Sequence, residues 1–153
     1  MSVGEFCNRE TVVVRKEESI VTAARLMREY HVGSVVVVED ADPGPKPIGI
    51  VTDRDLVVEI LAAELDPNAV AIGDIMSYQL TTARDSDGLW DTLQRMRLQG
   101  VRRVPVVNAA GALVGILTSD DLLELLSDEL GQLARIVNRE RQREQATRDG
   151  ALR

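Results

Sequence analysis

The strongest constraint on this chain is that it says nearly the same thing twice. Shifted by 69 residues, positions 3–38 lie over 72–107 without a gap. Gly4 meets Gly73, Arg15 meets Arg84 and Met27 meets Met96, while Val35, Val37 and Val38 meet Val104, Val106 and Val107. Beyond that the offset drops to 66, because "EDADPGPKP" is three residues longer than "NAAGAL". A Pro/Gly/Asp-rich turn is where a fold accepts an insertion. A duplicated unit is therefore the first thing any fold for this chain must contain.

Each copy reads β-α-β-β-α. "TVVV" (11–14) is a short strand and its counterpart "LTTA" (80–83) a weaker one. An amphipathic helix follows from Ser19 to Tyr30, with Ile20, Ala23, Ala24 and Met27 at helical spacing. Ser19 is its expected N-cap, and Asp87 that of the second copy. The continuous apolar runs 34–38 and 103–107 are expected of strands covered on both faces. Third strands at 48–52 and 114–118 lead into second helices. One such unit is marginal alone, so two packed sheet to sheet are expected, as a pseudo-twofold pair with two related clefts. The expected fold class is α/β (α+β), with repeats at 3–69 and 70–127 joined near 64–71 and a helical, partly frayed tail at 128–153. In that tail Leu126, Leu130, Leu133 and Val137 share one stripe.

Composition removes several functions. Four aromatic residues cannot furnish a base-stacking surface, and a net charge of −7 opposes nucleic-acid binding by the body. No apolar run approaches a membrane span and the first ten residues are not a signal peptide, so a cytoplasmic protein is expected. Cys7 has no second cysteine to pair with and sits where the other copy has Met76, which reads as an apolar filler. The single histidine, His31, falls at a helix end without a metal-ligand cluster; neither a phosphate-cradling loop nor a catalytic constellation is present, so no enzyme and no metal site is expected. Trp90, in the first turn of a helix, reads as interface or core.

The chemistry that remains lies in "IGIVTDRDL" (48–56) and its echo "VGILTSDDL" (114–122). Thr52 with Asp55, and Thr118 with Asp121, fit a capping box before an apolar helix. They also fit a ligand site. Gly49 and Gly115 leave room for close approach, a Thr at a helix start suits phosphate, and an Asp can take a ribose diol. Both readings stand on the residues alone.

Residues 3 to about 127 resemble a tandem pair of CBS (cystathionine-β-synthase) domains, a Bateman module. The residues that carry the likeness are "GIVTDRDL" and "GILTSDDL", the central strands "HVGSVVVVED" and "GVRRVPVVNAAGALVG", and "GDIM" at 73–76. The resemblance implies a disc-like homodimer and regulatory binding of an adenosine ligand: AMP, ADP, ATP, S-adenosylmethionine or a related dinucleotide, with Mg as an optional companion. It implies that Thr52 and Thr118 contact phosphate, that Asp55 and Asp121 contact ribose, and that Val12, Val13, Thr81 and Thr82 line the base pocket. The two sites are expected to be unequal: Arg54 suits a polyphosphate, whereas Asp120 beside Asp121 opposes one unless Arg102 or Arg103 compensates. Pro105, replacing Val36, points to an edge strand or a cleft wall. The function expected is a stand-alone sensor that relays ligand binding to an unknown protein partner through a packing change. The alternatives are a ligand-free dimeric scaffold and a subunit whose catalysis resides on another chain.

Overall fold

The computed structural model describes residues 1–151; the last two residues of the expected tail lie outside them. The chain divides into two compact units, Met1–Thr118 and a second that begins at Ser119. In order, the first unit holds α1 (Val3–Phe6), β1 (Val13–Val14), α2 (Ile20–Tyr30), β2 (Ser34–Glu39), β3 (Lys46–Thr52) and α3 (Asp53–Asp55). A π-helical segment (Leu56–Leu61) continues α3. Then come α4 (Ile72–Ile75), β4 (Ala83–Arg84), α5 (Leu89–Gln99), β5 (Arg103–Val107) and β6 (Leu113–Thr118); the second unit is α6 (Ser119–Ala151).

The strands form two three-stranded sheets, β1-β2-β3 and β4-β5-β6, each with a parallel outer pair and an antiparallel hairpin. Apolar runs at β2 and β5 become the central strands because side chains on both faces are covered: Val35, Val36, Val37 and Val38 are all buried. Against β2 pack Ile20, Ala23 and Met27 of α2, the stripe set by helical spacing. The α2 start is fixed by Ser19, whose Oγ accepts the Thr22 N–H at 3.2 Å.

The two copies are interlocked rather than merely stacked. Ile72 and Met76, which open the second copy, belong to the core of the first sheet. Backbone hydrogen bonds show the exchange in both directions. Val3 N–H donates to Asp87 O (2.9 Å) and Gly4 N–H to Asp85 O (2.8 Å), while Ile72 N–H donates to Glu18 O and Gly73 N–H to Lys16 O (both 2.8 Å). Asn8 pairs with Ile116 as Ser77 pairs with Ile50. Every one of these contacts maps onto its counterpart under the offsets of 69 and 66, the reciprocity of a pseudo-twofold pair. Each copy thus sends its first segment to the other copy's sheet.

Two expectations change. The N-cap of α5 is Gly88, without a side-chain cap bond. Asp87 instead accepts the Arg84 N–H (3.1 Å), as its counterpart Glu18 accepts the Arg15 N–H in the first copy, and in addition the Arg95 Nη2 (2.6 Å). Pro105 lies in the central strand of its sheet, opposite Ile116, so it does not mark an edge. Its counterpart Val36 donates to Val12 O at 3.0 Å. Proline removes only that one bond, toward a β4 that pairs over just two residues. α6 runs from Ser119 through position 128 to Ala151. Residues 135–148 are mostly Arg, Glu, Gln and Ala, all strong helix formers.

Candidate ligand site

Strand direction brings most of the expected site residues to one end of their sheets. In the first sheet the register runs Val13–Val36–Ile50, so Val12 lies level with Val35 and Val51. One row further come Ser34 and Thr52. Val12 and Thr52 therefore stand two strands apart, about 10 Å. Val12 packs on the core, and Val13 is 38% exposed. In the second sheet Ala83 pairs with Val106 and Arg103 with Thr118. Thr81 and Thr82, both half-buried, lead into β4 at the equivalent end. Asp121 lies in the first turn of α6.

Thr52 and Asp55 are brought into direct contact as a complete capping box. Asp55 N–H donates to Thr52 Oγ1 at 3.2 Å, and Thr52 N–H donates to Asp55 Oδ2 at 2.7 Å. Both side chains are half-buried, and Arg54 between them is exposed. The Thr52 hydroxyl keeps its proton to donate and the Asp55 carboxylate keeps a second oxygen.

The glycines have a different role from the one expected. A β-carbon at Gly49 would lie 2.8 Å from Met76 Sδ and 3.0 Å from Ser77 O; at Gly115 it would lie 2.7 Å from Cys7 Sγ and 2.8 Å from Asn8 O. The group that approaches each glycine is the exchanged segment of the other copy. Gly49 and Gly115 are thus explained by packing, and their close approach gives no argument for a ligand. The same contacts place Cys7 and Met76 as apolar fillers.

Arg103 is positioned by the other repeat. Its backbone pairs with Thr118, but its guanidinium reaches the first copy: a β-carbon at Gly33 would lie 3.2 Å from Arg103 Nη2 and 3.2 Å from Asp53 Oδ2. Asp53 N–H donates to Gly33 O at 3.1 Å, which holds that corner against Thr52. The Arg103 guanidinium therefore stands beside Gly33 and Asp53, next to Thr52. Its repeat-mate is Ser34, so no matching cation comes from that position in the other direction. The signal was available in the sequence as the Gly33/Arg102 and Ser34/Arg103 mismatches, but only the crossing of the copies gives it a target.

Two cavities lie elsewhere on the first unit. One of about 440 Å³ is lined by Thr82, Arg84, Asp87, Arg95 and Asn108, and another of about 230 Å³ by Arg15, Glu17, Asp40 and Ile48. Both are at the far ends of β1/β2 and β4/β5, and only Thr82 of the expected site residues touches either. Asp87 in the larger one is raised by its partial burial; hydrogen bonds from the Arg84 N–H and Arg95, with the charges of Arg95 and Arg84, outweigh this and hold it below the usual carboxylate value. Among the described residues no group of three or more His, Cys, Asp or Glu could hold a metal ion. No helix among them is long and apolar enough to cross a membrane.

The model of the CBS domain matches twice, at residues 3–62 and 72–128. The chain belongs to the CBS-domain family. This CBS pair is 37% identical over 125 residues to the uncharacterized protein MK0525 of Methanopyrus kandleri, covering 82% of this chain but only 62% of that one. Hypoxic response protein 1 of Mycobacterium tuberculosis is 32% identical over 124 residues, 81% of this chain and 84% of its own. A crystal structure of Hypoxic Response Protein I with two coordinated zinc ions superposes with a TM-score of 0.69, at 31% identity, over 81% of this chain and 98% of that one. The CBS domain pair of protein MJ0100, solved with 5′-methylthioadenosine and S-adenosyl-L-methionine, gives a TM-score of 0.72 at 25% identity, over 84% of this chain and 98% of that one. The fold is that of the CBS pair: two small mixed sheets with flanking helices, extended by a C-terminal helix.

Proposed function

We propose that this CBS pair is a regulatory, cytoplasmic, non-enzymatic sensor that takes an adenosine ligand at the Thr52/Asp55 end of its first sheet and relays occupancy to a protein partner. The observation that carries the reading is the convergence at that mouth of Thr52, Asp55 and Val12 from the first copy with the Arg103 guanidinium from the second. A hydroxyl and a cation suit phosphate, a carboxylate suits the ribose diol, and an apolar strand edge suits the base. That MJ0100 takes adenosine compounds on a similar pair supports the same ligand class here. Arg54 and Arg103 favour a ligand with two or more phosphates over AMP or S-adenosylmethionine, and the Thr118/Asp121 site is the weaker one, with Asp120 next to it. Because Arg103 crosses from one copy to the other, a phosphate held there would tie the copies together. The signal could not exceed the ligand's differential affinity for the two packings.

A second reading has its own observation: Thr52 and Asp55 already satisfy each other as a helix cap. On that reading the pair is a ligand-free interaction scaffold. Calorimetric titration with ATP, ADP, AMP and S-adenosylmethionine separates the two. The sensor reading expects ATP or ADP to bind more tightly than AMP, and a saturating excess of about 100 Kd to add about 2.7 kcal/mol of stability. Arg103→Ala should weaken the di- and triphosphate far more than AMP. No heat and no thermal shift with any of the four would leave the scaffold.

A further inference from the structure

We propose that α6 pairs with α6 of a second copy of this chain as an antiparallel two-stranded coiled coil. Leu123, Leu126, Leu130, Leu133 and Val137 recur at alternating intervals of three and four, the spacing of a coiled-coil seam. All five side chains are exposed, from 38% at Leu126 to 65% at Leu130. A helix that leaves such a stripe uncovered over about four turns presents a seam without its other half.

Charge selects the occupant and its direction. Between 119 and 134 the helix carries Asp120, Asp121, Glu124, Asp128 and Glu129 and no cation. Between 135 and 148 it carries Arg135, Arg139, Arg141, Arg143 and Arg148 against only Glu140 and Glu144. A parallel pair would set carboxylates beside carboxylates and arginines beside arginines. An antiparallel pair sets each acidic half along a basic half, so a second copy is the complementary surface. The apolar positions agree, since Leu126, Leu130, Leu133 and Val137 are symmetric about Gly131–Gln132. A twofold axis there places Leu130 opposite Leu133 and Leu126 opposite Val137, with Glu124 coming abreast of Arg139. Glu140, which falls opposite Leu123, and Glu144 lie next in the seam and confine its paired apolar part to Leu126, Leu130, Leu133 and Val137. The overlap from Ser119 to Glu144 spans about 39 Å. The pairing is independent of any ligand at the Thr52 mouth.

Two differently tagged full-length chains test it, one carrying Leu126→Cys and the other Val137→Cys, co-expressed and mildly oxidised. Native Cys7 is buried, and the unsubstituted chain serves as the control that shows no cross-link. A disulfide dimer containing both tags should dominate, and low salt should increase it. Adding Leu130→Asp and Leu133→Asp to both chains should abolish it while circular dichroism shows the helix content retained. Predominance of like-with-like dimers would mean a parallel pair, and absence of any disulfide dimer would mean another partner for the stripe; either result overturns the proposal.

Discussion

At the scale of single residues, the two copies act as controls for each other. Both α2 and α5 end on a left-handed residue, His31 (φ 54°) in one and Gly100 (φ 65°) in the other. Left-handed backbone strains any residue with a β-carbon, so His31→Gly should stabilise the protein by about 1 kcal/mol, measured by urea denaturation. A second pair is polar in one copy only. Thr92, 1% exposed, receives a hydrogen bond from Arg95 Nη2 at 3.1 Å, where the first copy has Ala23 and Leu26. Arg95→Ala should cost about 1–2 kcal/mol, since it leaves a buried hydroxyl unpaired, and the double change Thr92→Ala, Arg95→Leu should recover most of it. The Arg95–Asp87 contact adds a pH signature. Because Asp87 is held below its ordinary value in the fold, its contribution is present above that value and disappears as pH falls through the lowered one. The stability gap between the native chain and Asp87→Asn should therefore close in acid. The cap position was legible in the repeat offset, which sets Gly88 over the cap Ser19 and Asp87 over Glu18, whereas the bonds from Arg95 to Asp87 and Thr92 have no counterpart in the first copy and show only in the packing.

At the scale of elements, periodicity located the central strands and α2 to within a residue or two, because buried runs and an amphipathic stripe are local properties. The capping box at Thr52 was equally legible. What periodicity could not carry was destination. Nothing in the sequence states that Val3–Asn8 pairs with the second sheet and Ile72–Ser77 with the first, and so the glycines of β3 and β6 read as space for a ligand when that space holds Met76 and Cys7. Gly49→Ala and Gly115→Ala should each cost about 1–3 kcal/mol by overpacking. Gly115→Ala should be the more damaging, because the backbone oxygen of Asn8 stands 2.8 Å away against 3.0 Å for that of Ser77 at Gly49, and the short Cys7 side chain has less freedom to move aside than Met76. Chemical denaturation of the two variants side by side reads the difference.

For the whole molecule, the duplication and the family were legible because they are statements about pattern, while the inequality of the two mouths was only half legible. Arg54 could be read, but the reach of Arg103 across the copies required the fold. The same crossing makes a prediction for the intact chain. Removing residues 1–8 should uncover the second sheet far more than the first, and hydrogen exchange should rise in β6 and around Asp85–Asp87 while β2 stays protected. The exchanged segments also bear on descent. A lone ancestral copy would have carried an arm whose only complementary sheet was on another molecule, so it would have closed only by trading arms with its twin. Two such copies joined end to end would turn a bargain between molecules, dependent on concentration, into one written within a single chain. Within one chain each half can differ at its mouth, as Arg103 differs from its counterpart Ser34.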